Sequence, residues 1–335
     1  MRNFNIRILK VLLVISIAMF ISLLLLITFQ YGKVPEDITG KQVIKNNKND
    51  KKRTNERDPK TPISENEASE PGIIEEEKES AEIVPDEEAL QKDAPLDQRK
   101  IEAVDEDNLK WDDINKSKYQ STFGRKVAFI YFSHNRESFL PYFQKGITPD
   151  KAYHSKLNVL LIGKRLGKSL KRNGIWNSVN EADIIDMLNE RKLNFGNSYQ
   201  MSREIVSNEL NKNRDLVMAF DIHRDALPRN QTTVQLNGKS FAKISFVIGS
   251  AHENFKANIK FTNGINEVIE KNYPGISKGI IIKDKNQGNG VYNQDLLPTS
   301  VIIEIGGVEN NLEELYRTAD VLGNAISQYY WGNIH

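Results

Sequence analysis
Val127-Ala-Phe-Ile-Tyr-Phe132, Leu216-Val-Met-Ala-Phe220 and Val301-Ile-Ile-Glu-Ile305 are three short apolar runs, each with ionisable side chains just after its carboxyl end or inside it. Runs of this length between turn residues read as buried strands. Helical patterns fall between and around them. Val159, Ile162, Leu166 and Leu170 repeat at helical spacing and stop near Gly174; Met201, Ile205, Val206 and Leu210 mark a second helix. Lys243–Gly249 alternates as a strand, Phe255–Asn272 is helical and halted by Pro274, and Gly279–Ile282 is β-rich. A last stripe, Leu312, Leu315, Ala319, Leu322, Ile326 and Tyr329, follows Asn310 or Asn311 as cap with Glu313 or Glu314 three residues on. Ile175–Val179 and Ile184–Leu188 leave their type open. This alternation predicts an α/β domain over 121–335, with a mainly parallel twisted sheet and helices on both faces.

The rest of the chain is of another kind. It has 335 residues, net charge +1 and no cysteine, which excludes disulfide staples, thiolate metal sites and a cysteine nucleophile. From Val11 to Phe29 no residue is charged. As a helix that run reaches about 28 Å, close to a hydrocarbon core of about 30 Å. Arg2, Arg7 and Lys10 precede it, so residues 1–33 are expected to be a cytoplasmic tip and single-pass membrane anchor, with the remainder outside. The competing reading is a cleaved signal peptide. The run is long for that, and no small-x-small cleavage site follows Phe29. Lys41–Lys60 carries eight basic and three acidic residues, and Glu65–Glu88 eleven acidic and one basic. Such blocks bury too little apolar area to offset ordering entropy, so 34–100 reads as a disordered charged linker. Residues 101–120, with Leu109, Trp111, Ile114 and Tyr119, read as a lead-in to the domain. Residues 121–335 carry 27 basic and 21 acidic side chains, a modest +6 that suits an anionic wall polymer. No nucleic-acid partner is expected.

In open α/β sheets, sites form beyond the carboxyl ends of strands. The first run leads into Ser133-His-Asn-Arg-Glu-Ser138, the second into Asp221-Ile-His-Arg-Asp225, and the third contains Glu304. His134 and Glu137, three apart on a turn, can face one point, and His223 can join them. Two imidazoles and a carboxylate with an open fourth position form a usual catalytic zinc set. Glu304, among Val301, Ile302, Ile303 and Ile305, is the expected acid–base: a carboxylate in apolar surroundings has a raised pKa. The competing readings are a surface H-x-x-E and a structural Glu304. His252 is the rival ligand, ranked below His223; His154 sits in a loop and His335 is the last residue. Asp221 and Asp225 are candidates to orient the His223 ring. Arg136 and Arg224 could bind a substrate carboxylate or pair with those aspartates.

Ser133-His-Asn-Arg-Glu-Ser-Phe-Leu-Pro141, Asp221-Ile-His-Arg-Asp-Ala226 and Glu304-Ile-Gly-Gly307 resemble the signature segments of the stage II sporulation protein P family. These are peptidoglycan hydrolases related to the type 3 zinc-dependent N-acetylmuramoyl-L-alanine amidases. The resemblance covers about residues 100–335. It implies a zinc amidase/carboxypeptidase-like domain, with His134, Glu137 and His223 at the zinc positions and Glu304 at the catalytic one. It further implies sporulation engulfment as the setting, peptide cross-links as additional targets, and a lytic transglycosylase and a polytopic membrane protein as partners. One departure stands out: family members carry a histidine two positions before the ligand histidine, where this chain has Phe132. The alternatives are a zinc endopeptidase or carboxypeptidase acting on stem peptides, and an idle wall-binding scaffold.

Overall fold
Period-two alternation of apolar side chains builds the sheet. In this computed structural model, which describes residues 84–102 and 120–332, the elements follow the chain in this order. α1 (Glu87–Gln91) and α2 (Gln98–Glu102) precede β1 (Ala128–Tyr131), α3 (Val159–Arg172), β2 (Asn177–Val179), α4 (Ile184–Arg191) and α5 (Ser198–Lys212). Then come β3 (Met218–Asp225), α6 (Arg229–Thr232), β4 (Thr233–Leu236), β5 (Lys239–Ala242) and β6 (Ile244–Gly249). The chain ends in α7 (Phe255–Asn272), β7 (Ser277–Lys283), β8 (Ser300–Gly307) and α8 (Leu312–Gly332). The expected anchor, the linker up to residue 83 and most of the lead-in lie outside the described residues. Among the described residues, no helix is long and apolar enough to cross a membrane.

Six strands form one sheet in the order β2-β1-β3-β8-β6-β7. Ala128, Ile130, Phe220, Ile222, Ile244, Phe246, Val301 and Ile303 turn to one face and bury against α3, α7 and α8. Phe129, Tyr131 and Ala219 turn to the other and meet Val206 of α5. Both faces are covered, which is why the strands read as unbroken apolar runs. Each buried large side chain contributes about 1.5–3 kcal/mol. The expected layout of a mainly parallel sheet between helices is therefore present, with one exception. β6 runs antiparallel to β8, and β7 follows β6. The link from Asp225 to Ile244 holds a one-turn helix and the β4–β5 hairpin, with no crossover helix to carry the chain back for a parallel return.

α8 begins as its sequence suggests. Asn311 is the cap: its Oδ1 accepts from Glu314 N at 3.0 Å while Glu314 Oε2 accepts from Asn311 N at 3.3 Å. α3 and α8 approach closely, and a Cβ on Gly323 would overlap Ser169. The contact is locked by Arg165, whose Nε and Nη2 donate to the two Asp320 carboxylate oxygens at 2.8 and 2.6 Å.

Residues 84–98 differ from the linker reading. Asp86 caps α1, Leu90 is buried, and Leu96 bridges Phe143. Ser155 N donates to Asp93 Oδ1 at 2.7 Å, Gln144 N to Pro95 O at 3.0 Å, and Arg136 Nη1 to Leu90 O at 2.6 Å. Block composition hides these few anchoring residues; two apolar side chains and several backbone bonds hold the segment against the domain.

Candidate metal centre
The turn after β1 sets the first two groups. Glu137 N donates to His134 O at 3.1 Å, which closes the turn and brings both side chains to one side. His223 comes from the carboxyl half of β3. Its register partner on β8 is Glu304, so the two side chains stand beside each other on the α5 face of the sheet. The register shifts just beyond, between His223 and Asp225, where Gly306 takes φ +68.

One ligand atom each from His134, Glu137 and His223 lies within 4.8 Å of the others. Glu137 Oε1 is 3.4 Å from His134 Nδ1 and 3.4 Å from His223 Nδ1. Both are longer than a usual N–H···O bond of about 2.7–3.2 Å. The three atoms converge on a shared point rather than pairing off. Outer contacts fix each ligand. Asp221 Oδ1 lies 3.1 Å from His223 Nε2, and Ser133 donates to the same carboxylate from N at 2.8 Å and from Oγ at 2.7 Å. Glu137 Oε2 accepts from Arg224 N at 3.0 Å. His134 packs on Phe195, ring centroids 4.6 Å apart, and on Tyr199 at 5.3 Å.

The electrostatics favour a cation. Burial works to raise the Glu137 carboxyl, but the charge of His223 and hydrogen bonds from both imidazoles outweigh it and hold the group well below the usual range. Burial works against charge on His223, yet Asp221 and Glu137 pull its pKa well above the ordinary imidazole value. Glu304 moves the other way. Burial, with help from Glu137 and Asp225 and against the pull of His223, pushes it up to about 8. Its Oε2 is buried without a hydrogen-bond partner. Borderline-soft donors converging on one point, with a carboxylate behind one imidazole, fit zinc. The described residues present no second such cluster.

The other sequence candidates sort clearly. Asp221 orients His223. Asp225 does not: its Oδ2 lies 3.4 Å from Lys278 Nζ and its Oδ1 accepts from Leu227 N. Arg136 pairs with neither aspartate but with Asp183 and Asp186. Arg224 Nε donates to Ser138 O at 3.0 Å, and its guanidinium lies over Tyr153. His252 stands outside the cluster, and His154 Nδ1 accepts from Lys156 and Leu157 backbone N–H. Phe132 faces away from the centre. Its ring packs on α3, where a Cβ at Gly163 would overlap it.

Above the centre lies a cavity of about 210 Å³. Its walls include Val84, Pro85, Tyr199, Val247, Lys283 and Tyr292, none of which the motifs indicated. Strand periodicity alone could have placed Ile302 and Val247 there; nothing in the sequence announces Val84, Pro85 or Tyr292.

An α/β sheet whose parallel strands deliver a His-Glu-His cluster, with a buried carboxylate alongside, defines the class of this protein. The sequence profile of the family Stage II sporulation protein P (SpoIIP) matches residues 31–327, and the chain belongs to that family. Stage II sporulation protein P of Bacillus subtilis (strain 168) is 43% identical over 212 residues, 63% of this chain and 53% of that protein. The chain thus spans about half the length of this relative. Among solved structures, an N-acetylmuramoyl-L-alanine amidase from Clostridium difficile 630 matches at 15% identity and a TM-score of 0.37, over 63% of this chain and 97% of the other. An N-acetylmuramyl-L-alanine amidase from Mycobacterium smegmatis matches at 14% and 0.38, over 62% and 97%.

Proposed function
We propose that this protein is a zinc-dependent peptidoglycan hydrolase that cleaves the amide between N-acetylmuramic acid and the L-alanine of the stem peptide. It would act from a single-pass anchor at 1–33, outside the cytoplasmic membrane, during the septal wall degradation of sporulation. The observation that carries the reading is the register of His223 with Glu304: it sets a protonatable carboxylate beside the imidazole that completes the cluster.

His134, Glu137 and His223 would hold the zinc, which when bound supplies polarisation of the amide carbonyl and activation of water. Asp221 keeps the His223 ring turned with Nδ1 toward the shared point. Glu304 takes the proton of the attacking water and passes it to the alanine nitrogen, since an amide anion is a very poor leaving group. Taking the water's proton needs the ionised carboxylate, which a cation held by the cluster would favour; the raised pKa suits the return of that proton to the nitrogen. A carboxypeptidase needs a guanidinium free to hold a terminal carboxylate. Arg136 is committed to Asp183, Asp186 and Leu90 O, and Arg224 to Ser138 O and Ala152 O, which favours the amidase.

The test is Glu304→Gln on purified wall fragments. The variant should keep zinc and thermal stability while turnover falls about 10²–10⁴-fold. Parent products should be free muramoyl lactyl groups and new L-alanine amino ends. Shortened or uncrosslinked peptides in their place would make it a peptidase. Intact turnover would remove Glu304 from the chemistry, and a parent without zinc or turnover would leave the wall-binding scaffold.

A further inference from the structure
With both guanidinium groups committed to protein acceptors, one cation on the cavity wall has its head group to spare. Lys283 ends β7, is partly exposed, and among the described residues its side chain makes no hydrogen bond or ion pair. Lys283 lines the same cavity as Glu304.

Strand register fixes how the two relate. Ile302 pairs with Val247, and Val247 with Ile281. These three share a face and pack together with Tyr292. Alternation puts Glu304 on that face two residues beyond Ile302, and Lys283 two residues beyond Ile281. β8 and β7 run in opposite directions, so Glu304 and Lys283 stand at opposite ends of an apolar strip. A strip of this kind fits an extended chain with its reacting amide at one end and an anion at the other. By register Glu304 is level with Ser245 and Lys283 with Gly249, two strands away, a backbone separation of about 16 Å; two extended residues reach about 7 Å, and the lysine and glutamate side chains cover the rest.

We propose that Lys283 is a specificity residue that binds a carboxylate on the peptide leaving group, on the residue following the amino-terminal alanine. In stem peptides that residue is glutamate joined through its side chain, whose α-carboxylate is free or amidated. The protein would then favour the carboxylate form over the amide form. This rests on the amidase reading for which bond is cut, but carboxylate binding is measured separately.

The probes are muramoyl-L-alanyl-D-glutamate and muramoyl-L-alanyl-D-isoglutamine, which differ only in that group. Calorimetry on zinc-loaded Glu304→Gln should show the carboxylate probe binding about 10–100-fold more tightly, as expected for a charge-assisted contact. Adding Lys283→Met should bring the two probes together without weakening the amide probe. Adding Lys283→Arg should keep most of the preference. With Glu304 intact, Lys283→Met should raise KM for the carboxylate probe and leave kcat within about threefold. Equal binding of the probes to the parent, or a preference that survives Lys283→Met, overturns the assignment. A Lys283-dependent preference without turnover upholds it and removes the amidase reading instead.

Discussion
The unpaired, buried Glu304 should leave a signature in stability as well as in turnover. In the metal-free protein its pKa stands at about 8, against an ordinary 4.5. Between those values the unfolded chain ionises this glutamate while the folded chain keeps the proton. The sign follows from linkage: the folded state binds more protons, so its advantage is complete below 4.5, declines as pH rises, and is gone above 8. The full difference converts to about 5 kcal/mol as an upper bound, at about 1.4 kcal/mol per tenfold in acidity. The carboxyl borders a cavity open to solvent, which reduces this to about 2–3 kcal/mol. Glu304→Gln removes the titration. Urea unfolding in chelator should therefore show the variant and parent differing little near pH 4.5, with the variant gaining about 2–3 kcal/mol on the parent by about pH 9. Added zinc should narrow the gap, because a nearby cation favours the ionised carboxylate. A gap that stays constant with pH, or one that widens in the parent's favour, would refute the claim that burial keeps Glu304 protonated.

Other outcomes follow from the contacts. Asp221→Ala strips the His223 ring of its support, so zinc affinity, read by competition with a chelating dye, should fall about 10–100-fold. Arg165→Met leaves Asp320 charged and buried between α3 and α8, and urea melts should show a loss of about 3–5 kcal/mol with zinc content unchanged. Replacing residues 1–33 by a cleavable signal should release the protein from membranes while its hydrolysis in vitro persists; fractionation of the full chain checks this, and a soluble, shortened mature form would remove the anchor.

The sheet was legible where a strand is buried on both faces. Val127–Phe132 and Val301–Ile305 permit no amphipathic helix, and they become β1 and β8. The helix from Val159 and the one starting at Leu312 were equally plain, because each carries a full apolar stripe at helical spacing; the Asn158 cap of the first shows only in the structure. The β4–β5 hairpin escaped notice. Its Asn237-Gly238 turn, with φ +50 and +76, is a usual two-residue hairpin signal, but the flanking strands are short and half-exposed. The reversed sense of β6 was not legible either, since residue patterns fix a strand's faces and not its direction. That His134, Glu137 and His223 come together with Glu304 alongside was readable, as ionisable groups in apolar surroundings; their roles are the proposal made above. What they lean on was less so: Ser133, Phe195 and Tyr199 are ordinary residues made important by distant neighbours. The two arginines show the same limit, because their partners Asp183, Asp186 and Ala152 come from separate turns of the chain.

Val84 and Pro85 border the cavity, and the next residues are pinned through Leu90 to Arg136, on the turn that carries His134 and Glu137. The first described residues thus lie at the rim of the cleft. Mechanically, tension drawn along the chain from residue 83 is delivered beside the centre rather than at the far end of the sheet. Arg136 also pairs with Asp183 and Asp186, so one side chain ties together the start of the described chain, the turn that carries His134 and Glu137, and the first turn of α4.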